Sequence, residues 1–136
     1  MKMSGSERPY VLNVCTSCRL TGEPRQPFYQ RSGYKLFKDL ESELAASDLG
    51  DRVEVRAAEC LSICRRPCGI ALSSEGSWSY LFGDQEPKTS AKDIVECLAL
   101  YIEKSDGFMP RSERPKGLRG AILGRIPPLG GPNASV

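Results

Sequence analysis

Two short β-prone runs each deliver a knot of cysteines, and this repetition constrains the chain more than any other feature. Tyr10-Val11-Leu12-Asn13-Val14 leads into Cys15-Thr16-Ser17-Cys18, and Arg52-Val53-Glu54-Val55-Arg56-Ala57 leads to Cys60-Leu61-Ser62-Ile63-Cys64-Arg65-Arg66-Pro67-Cys68. The first run is rich in β-formers, and the second alternates charged and apolar residues at period two, as a half-buried strand does. Between them Leu36, Phe37, Leu40 and Leu44 recur at three- and four-residue spacings. Lys35, Lys38, Glu41 and Glu43 fall opposite, which predicts an amphipathic helix from Gly33 to about Ala46, ended by Gly50. Strand, helix, strand in that order predicts a right-handed crossover with the strands parallel and adjacent or near each other. Both knots then lie at the carboxyl ends of the strands, where thiolates distant in sequence converge on one site.

The 136 residues, 40% of them hydrophobic, suffice for one core and a tail. A net charge of +2 from 19 basic and 17 acidic residues gives no general attraction to nucleic acid or an anionic membrane. Met1 to Arg8 lacks the apolar stretch that export requires, and no segment is apolar enough to span a bilayer, so a cytoplasmic protein is expected. In that reducing compartment six cysteines point to metal or redox chemistry rather than disulfides. Histidine is absent. That excludes mixed Cys/His zinc sites, Rieske-type ligation and Ser-His or Cys-His nucleophile pairs, and leaves sulfur to build the site.

Leu20 to Ser32 carries Gly22, Pro24 and Pro27 and reads as a loop. Gly69-Ile70-Ala71-Leu72 and Ser77 to Phe82 predict two further strands joined by Ser73-Ser74-Glu75-Gly76 as an antiparallel hairpin. A second helix is expected from Ser90, its hydroxyl as cap and Asp93 in the first turn, with Ile94, Val95, Leu98, Tyr101 and Ile102 inward and Cys97 a core residue on the same stripe. The order β-α-β-β-β-α describes an α/β fold with a four-stranded mixed sheet, the thioredoxin-like order. Trp78, Tyr80 and Phe82 are read as core-facing strand positions rather than a base-stacking platform. Residues 8–104 form the expected cluster-binding domain. Residues 105–136 are a basic Pro/Gly-rich tail of net charge +3, either mobile or laid along the domain.

A C-x-x-C pair at a strand end serves a redox dithiol, half a zinc site or half a cluster site. Cys60 and Cys64, four apart, share a face if the segment makes a helical turn. Cys15, Cys18, Cys60 and Cys64 together satisfy a 2Fe–2S cluster, one pair per iron, and equally satisfy tetrahedral zinc. Cys68 is a surplus thiol, an alternative ligand for Cys64 or Cys18. Arg19, Arg65 and Arg66 offset thiolate charge. Three functions follow: a ferredoxin-like carrier of single electrons, not itself an enzyme; a zinc or cobalt module for metal delivery or as a structural adaptor; and a thiol-disulfide oxidoreductase using Cys15 and Cys18.

Cys60-Leu61-Ser62-Ile63-Cys64 resembles the C-L-G-x-C signature of thioredoxin-like 2Fe–2S ferredoxins and of the related subunit of respiratory complex I, and the resemblance in strand order spans about Tyr10 to Lys104. The chain departs from that pattern in three places. The superfamily's first cysteine pair is usually more widely spaced, Ser62 replaces a glycine, and Cys68 stands near a position where proline is common. A closer resemblance is to a small bacterial family of predicted metal-binding proteins of unknown function. It is carried by V-C-T-x-C-R at Val14 to Arg19, C-L-x-x-C-x-x-x-C at Cys60 to Cys68, the run Trp78 to Asp84, and Asp106-Gly107, Arg114-Pro115 and Arg125-Ile126-Pro127-Pro128 in the tail. This resemblance implies a protein redox or metal-handling partner, in cobalamin or tetrapyrrole metabolism, and a tail that packs on the domain or binds that partner.

Overall fold

The computed structural model describes residues 9–20, 22–62 and 65–129. Its main elements are β1 (Tyr10–Cys15), α1 (Ser32–Ala45), β2 (Val53–Ala58), β3 (Ile70–Ser74), β4 (Ser79–Phe82), α2 (Ala91–Glu103) and β5 (Ile122–Ile126). Single 3-10 turns cover Phe28–Gln30, Arg111–Glu113 and Lys116–Leu118. The strands form one sheet in the order β2-β1-β3-β4-β5, with β1 and β2 parallel and the other neighbours antiparallel. The sheet therefore has five strands where four were expected. The fifth comes from the tail, whose prolines and glycines hide a strand that lies mostly exposed at the sheet's edge and so lacks period-two patterning.

Period-two burial makes the core. Leu12 pairs with Leu72 and Leu72 with Tyr80, while Val14 pairs with Ile70 and Ile70 with Phe82, giving two apolar rows across β1, β3 and β4. All six side chains are buried, each contributing about 1.5–3 kcal/mol by transfer from water. α1 covers β1 and β2 with Leu36, Leu40 and Leu44 and touches α2, which buries Ile94, Leu98 and Tyr101. The Tyr101 ring meets Tyr10 and Tyr80 edge-on at 5.9 and 6.1 Å, and its hydroxyl donates to the Trp78 carbonyl.

Two end signals act differently from expectation. α1 is closed by Ser47, whose N–H and hydroxyl both donate to the Leu44 carbonyl at 3.0 Å, five residues after Ser42 and before Gly50 is reached. The Ser90 hydroxyl makes no cap bond to α2. It accepts the Glu86 N–H at 2.9 Å instead, because Ser90 already has helical dihedrals that turn its side chain away from the helix end.

The described part of the tail packs on the domain. Met109, Leu118 and Ala121 are buried, and the Cys97 thiol lies 3.6 Å from the Met109 sulfur inside the core, as its place on the apolar stripe predicts. Arg125 on β5 stacks on Trp78 and Phe108, 4.8 and 4.9 Å from the ring centroids. No helix among the described residues is long and apolar enough to cross a membrane.

Candidate metal centre

The parallel register sets Cys15 opposite Ala58, so the first knot begins where β2 ends, two residues before Cys60. Thr16 stitches the two strand ends together: its N–H and hydroxyl both donate to the Ala58 carbonyl, at 2.9 and 3.3 Å. The Ser17 hydroxyl donates to the Glu59 carbonyl. The predicted convergence of the two knots at one end of the sheet is thus built by backbone pairing.

Cys15, Cys18 and Cys68 are buried, at 2%, 5% and 0% exposure. The Cys15 thiol neighbours Cys18, and Cys18 neighbours Cys68, closely enough to shift the titration of Cys15 and Cys18. The main-chain N–H groups of Ser17 and Leu61 near Cys15, and of Gly69 near Cys18, favour the thiolate forms. Leu61 belongs to the second knot, so its contact joins the two. The hydrogen bond to Cys18, then burial, drive the Cys15 thiol far above the ordinary range. For Cys18, the bond from Cys15 lowers the value, while Cys68 and burial raise it, leaving a thiol pushed up to about 11.

Gly33, in the first turn of α1, lets the helix approach this first knot. Its N–H donates to the Cys18 carbonyl at 3.0 Å, and a Cβ there would stand 2.0 Å from the Cys15 carbonyl oxygen. Ser32 donates to both carboxylate oxygens of Glu23 at 2.7 and 2.9 Å, fixing the loop between Cys18 and the helix.

The second knot is held differently. Cys60 is exposed, and its sulfur accepts the Ser62 N–H at 3.3 Å. Cys64, the fourth expected ligand, lies outside the described residues. The helical turn considered for Cys60 to Cys64 does not form at its described end, since Ser62 has φ of 61°, a left-handed conformation. A glycine adopts that conformation without steric cost, which accounts for glycine at this place in the C-L-G-x-C signature. Cys68 exchanges two backbone hydrogen bonds with Gln85, at 2.9 and 3.1 Å. Between Cys64 and Cys68, Arg66 Nε lies 3.0 Å from both carboxylate oxygens of Asp84, and its Nη2 donates to Asp84 and to the Gly120 carbonyl at 3.2 Å.

The structure therefore brings Cys15, Cys18 and Cys68 into contact and leaves Cys60 at the rim. The contacts run from Cys15 to Cys18 to Cys68, and among the described residues no group of three or more cysteine or acidic side chains is arranged to enclose a metal ion. The chemistry of the donor set suits a soft centre: sulfur ligands, no histidine, and N–H groups directed at sulfur. Arg66, expected to offset thiolate charge, is committed to Asp84. Sequence reasoning missed this clamp and the role of Gly33; the Gly83-Asp84 pair after an aromatic strand and a glycine opening an apolar helix were the available signals.

A family model described as protein of unknown function (DUF1636) matches residues 12–128. A protein from Clostridium pasteurianum named as a 2Fe–2S ferredoxin is 29% identical over 93 residues, covering 68% of this chain and 84% of that protein. The fold is similar to a solved thioredoxin-like [2Fe–2S] ferredoxin from Aquifex aeolicus, with a TM-score of 0.57, 16% identity, and coverage of 89% of this chain and 96% of that one. A variant of the same Aquifex aeolicus ferredoxin with one cysteine changed to serine matches with a TM-score of 0.55 and 14% identity, over 85% and 98% of the two chains. The chain belongs to the DUF1636 family, and its fold is that of the thioredoxin-like ferredoxins.

Proposed function

We propose that this DUF1636 protein is a ferredoxin-like electron carrier, not an enzyme by itself, holding one 2Fe–2S cluster through Cys15, Cys18, Cys60 and Cys64, with Cys68 as alternative ligand. The observation that carries the reading is the pairing of Cys15 with Ala58 in the parallel register, tied by the Thr16 and Ser17 hydroxyls to the Ala58 and Glu59 carbonyls, since it joins both knots at one place. The relative named as a 2Fe–2S ferredoxin supports the identity of the cofactor. A bound cluster supplies a one-electron couple. The N–H groups of Ser17, Leu61 and Gly69 then serve to stabilise negative charge on sulfur, which tunes the potential. Cys15 and Cys18 keep water from one side, and Cys60 lies exposed at the rim. Residues 8–104 constitute the cluster-binding unit, with 105–136 as its basic Pro/Gly-rich tail. Its partner is a soluble redox or metal-handling protein, and a place in cobalamin or tetrapyrrole metabolism rests on the family resemblance alone.

The thiol-disulfide reading fares worse. A nucleophilic dithiol needs a lowered thiol pKa, whereas Cys18 is pushed up to about 11 and Cys15 further. Zinc or cobalt suits the same sulfurs. Full-length protein expressed with ample iron and purified anaerobically is expected to be reddish brown, to carry two irons per chain and to give a paramagnetic resonance signal on reduction. Replacing Cys15, Cys18, Cys60 or Cys64 singly by serine removes or alters that signal. Colourless protein with stoichiometric zinc would transfer the assignment to the metal-delivery reading.

A further inference from the structure

The stretch from Arg25 to Lys38 contains Arg25, Arg31, Lys35 and Lys38 and no acidic residue. With +4 here, +3 in residues 105–136 and +2 for the whole chain, the remainder carries −5, so this segment is one of two basic regions. It also holds exposed aromatic rings. Phe28 and Tyr29 are 61% and 53% exposed, the most exposed aromatic rings among the described residues. They are fixed by ring contacts: Phe28 meets Tyr29 and Tyr34 edge-on at 5.7 and 5.5 Å, and Tyr34 meets Phe37 at 6.1 Å on the body of α1. Beside the rings a groove of about 250 Å³ is lined by Tyr29, Tyr34, Lys35, Lys38 and Lys88, with the Asp39 carboxylate and Pro87 among them. Its far wall is pinned to α1, because the Lys88 N–H donates to the Asp39 carboxylate at 2.6 Å.

Position gives the patch its use. Tyr34 directly follows Gly33, whose backbone lies against Cys15 and Cys18. A protein seated on these rings therefore stands beside the first knot, where short-range electron exchange requires it. Rigid aromatic anchors lose little conformational freedom on contact, and surrounding cations steer an oppositely charged partner. Lys38 is partly neutralised by Glu41 at 2.8 Å, which leaves Lys35, Lys88, Arg25 and Arg31 as the main source of field.

From this combination we infer that Phe28, Tyr29 and Tyr34, rimmed by Lys35, Lys38 and Lys88, form the docking face for an acidic redox-partner protein. The inference rests on the electron-carrier reading above. Its test is voltammetry of the full-length, cluster-bearing protein on gold coated with mixed monolayers, methyl-terminated chains interspersed with either carboxylate-terminated or amine-terminated ones.

The expected result is electron transfer about tenfold faster on the carboxylate layer at low salt, with the advantage lost as salt rises. The charge-reversed variant K35E/K38E/K88E loses that preference, and F28S/Y29S lowers the adsorbed amount severalfold, while the visible absorption of both stays unchanged. Equal rates on the two layers, or variants that behave like the parent, overturn the docking face while leaving the carrier reading intact. Colourless protein with no wave on either layer sinks the carrier reading and the docking face with it. Sedimentation of the same samples supplies a further check: a dimer that F28S/Y29S dissociates would assign the face to a second copy and overturn the proposal, whereas the variant is expected to sediment like the parent.

Discussion

Cys15 and Cys18 stand at a strand end that α1 covers, with their backbone against Gly33 and their sulfurs buried. Cys60 stands exposed in a loop attached just before it through Glu59, and further on at Arg66 and Cys68. One half of the candidate site is thus fixed by main-chain packing inside the core, and the other is tied by the Ser17 hydroxyl before Cys60 and, after it, by a surface side-chain clamp and a buried two-bond backbone pair. The contrast teaches that a site of this kind is assembled from a rigid half and a half held at its ends. Ligands of the rigid half are preformed, while those of the other depend on the clamp.

Thiol reactivity offers the largest expected difference between the halves. In reduced, metal-free protein, Cys60 is expected to react with a maleimide about a hundredfold or more faster than Cys18, which is buried and pushed up to about 11. Mass spectrometry of timed samples reads this directly, and equal rates would erase the contrast. Next comes Gly33→Ala. Its methyl group meets the Cys15 carbonyl, so a loss of about 3 kcal/mol or more is expected in urea unfolding, together with loss of metal binding. A variant with parental stability would show that the first knot is not set by that contact.

A third measurement separates the core from both knots. Burial pushes Cys97 up to about 12 from an ordinary 9.0, so the folded state keeps a proton that the unfolded chain releases first. That contribution to stability is whole below about pH 9 and is lost as pH rises toward 12, about 3–4 kcal/mol in all. Cys97→Val is expected to flatten part of the alkaline fall in unfolding midpoint; Tyr101, also raised by burial, accounts for more of it. An unchanged pH profile in the variant would refute the assignment. The smallest effect belongs to the clamp: Arg66→Ala or Asp84→Asn should leave global stability nearly intact while speeding loss of bound metal to a chelator. If both variants hold metal as long as the parent, the second half does not need the clamp.

Much of this was legible because periodic patterns are local. Leu36, Leu40 and Leu44 marked α1, Val53 to Ala57 marked β2, and strand-helix-strand order brought Cys15 and Cys60 to one end of the sheet. Features set by a single distant contact were not legible. Nothing near Arg66 announces that its partner is Asp84, eighteen residues on, or that the carbonyl of Gly120 joins them. Gly33 read as an ordinary helix start, since the carbonyl it accommodates belongs to Cys15. The tail strand was missed for a related reason: its pairing with β4 satisfies the backbone without requiring apolar side chains on alternate positions.

That pairing has a consequence for the molecule's behaviour in solution. β5 occupies the flank of β4, and Arg125 between Trp78 and Phe108 holds it there. A chain cut before Ile122 would bare a row of unsatisfied peptide groups beside an aromatic surface, the kind of open border that recruits strands from other molecules into insoluble assemblies. The tail, for all its prolines, is what keeps this sheet from growing.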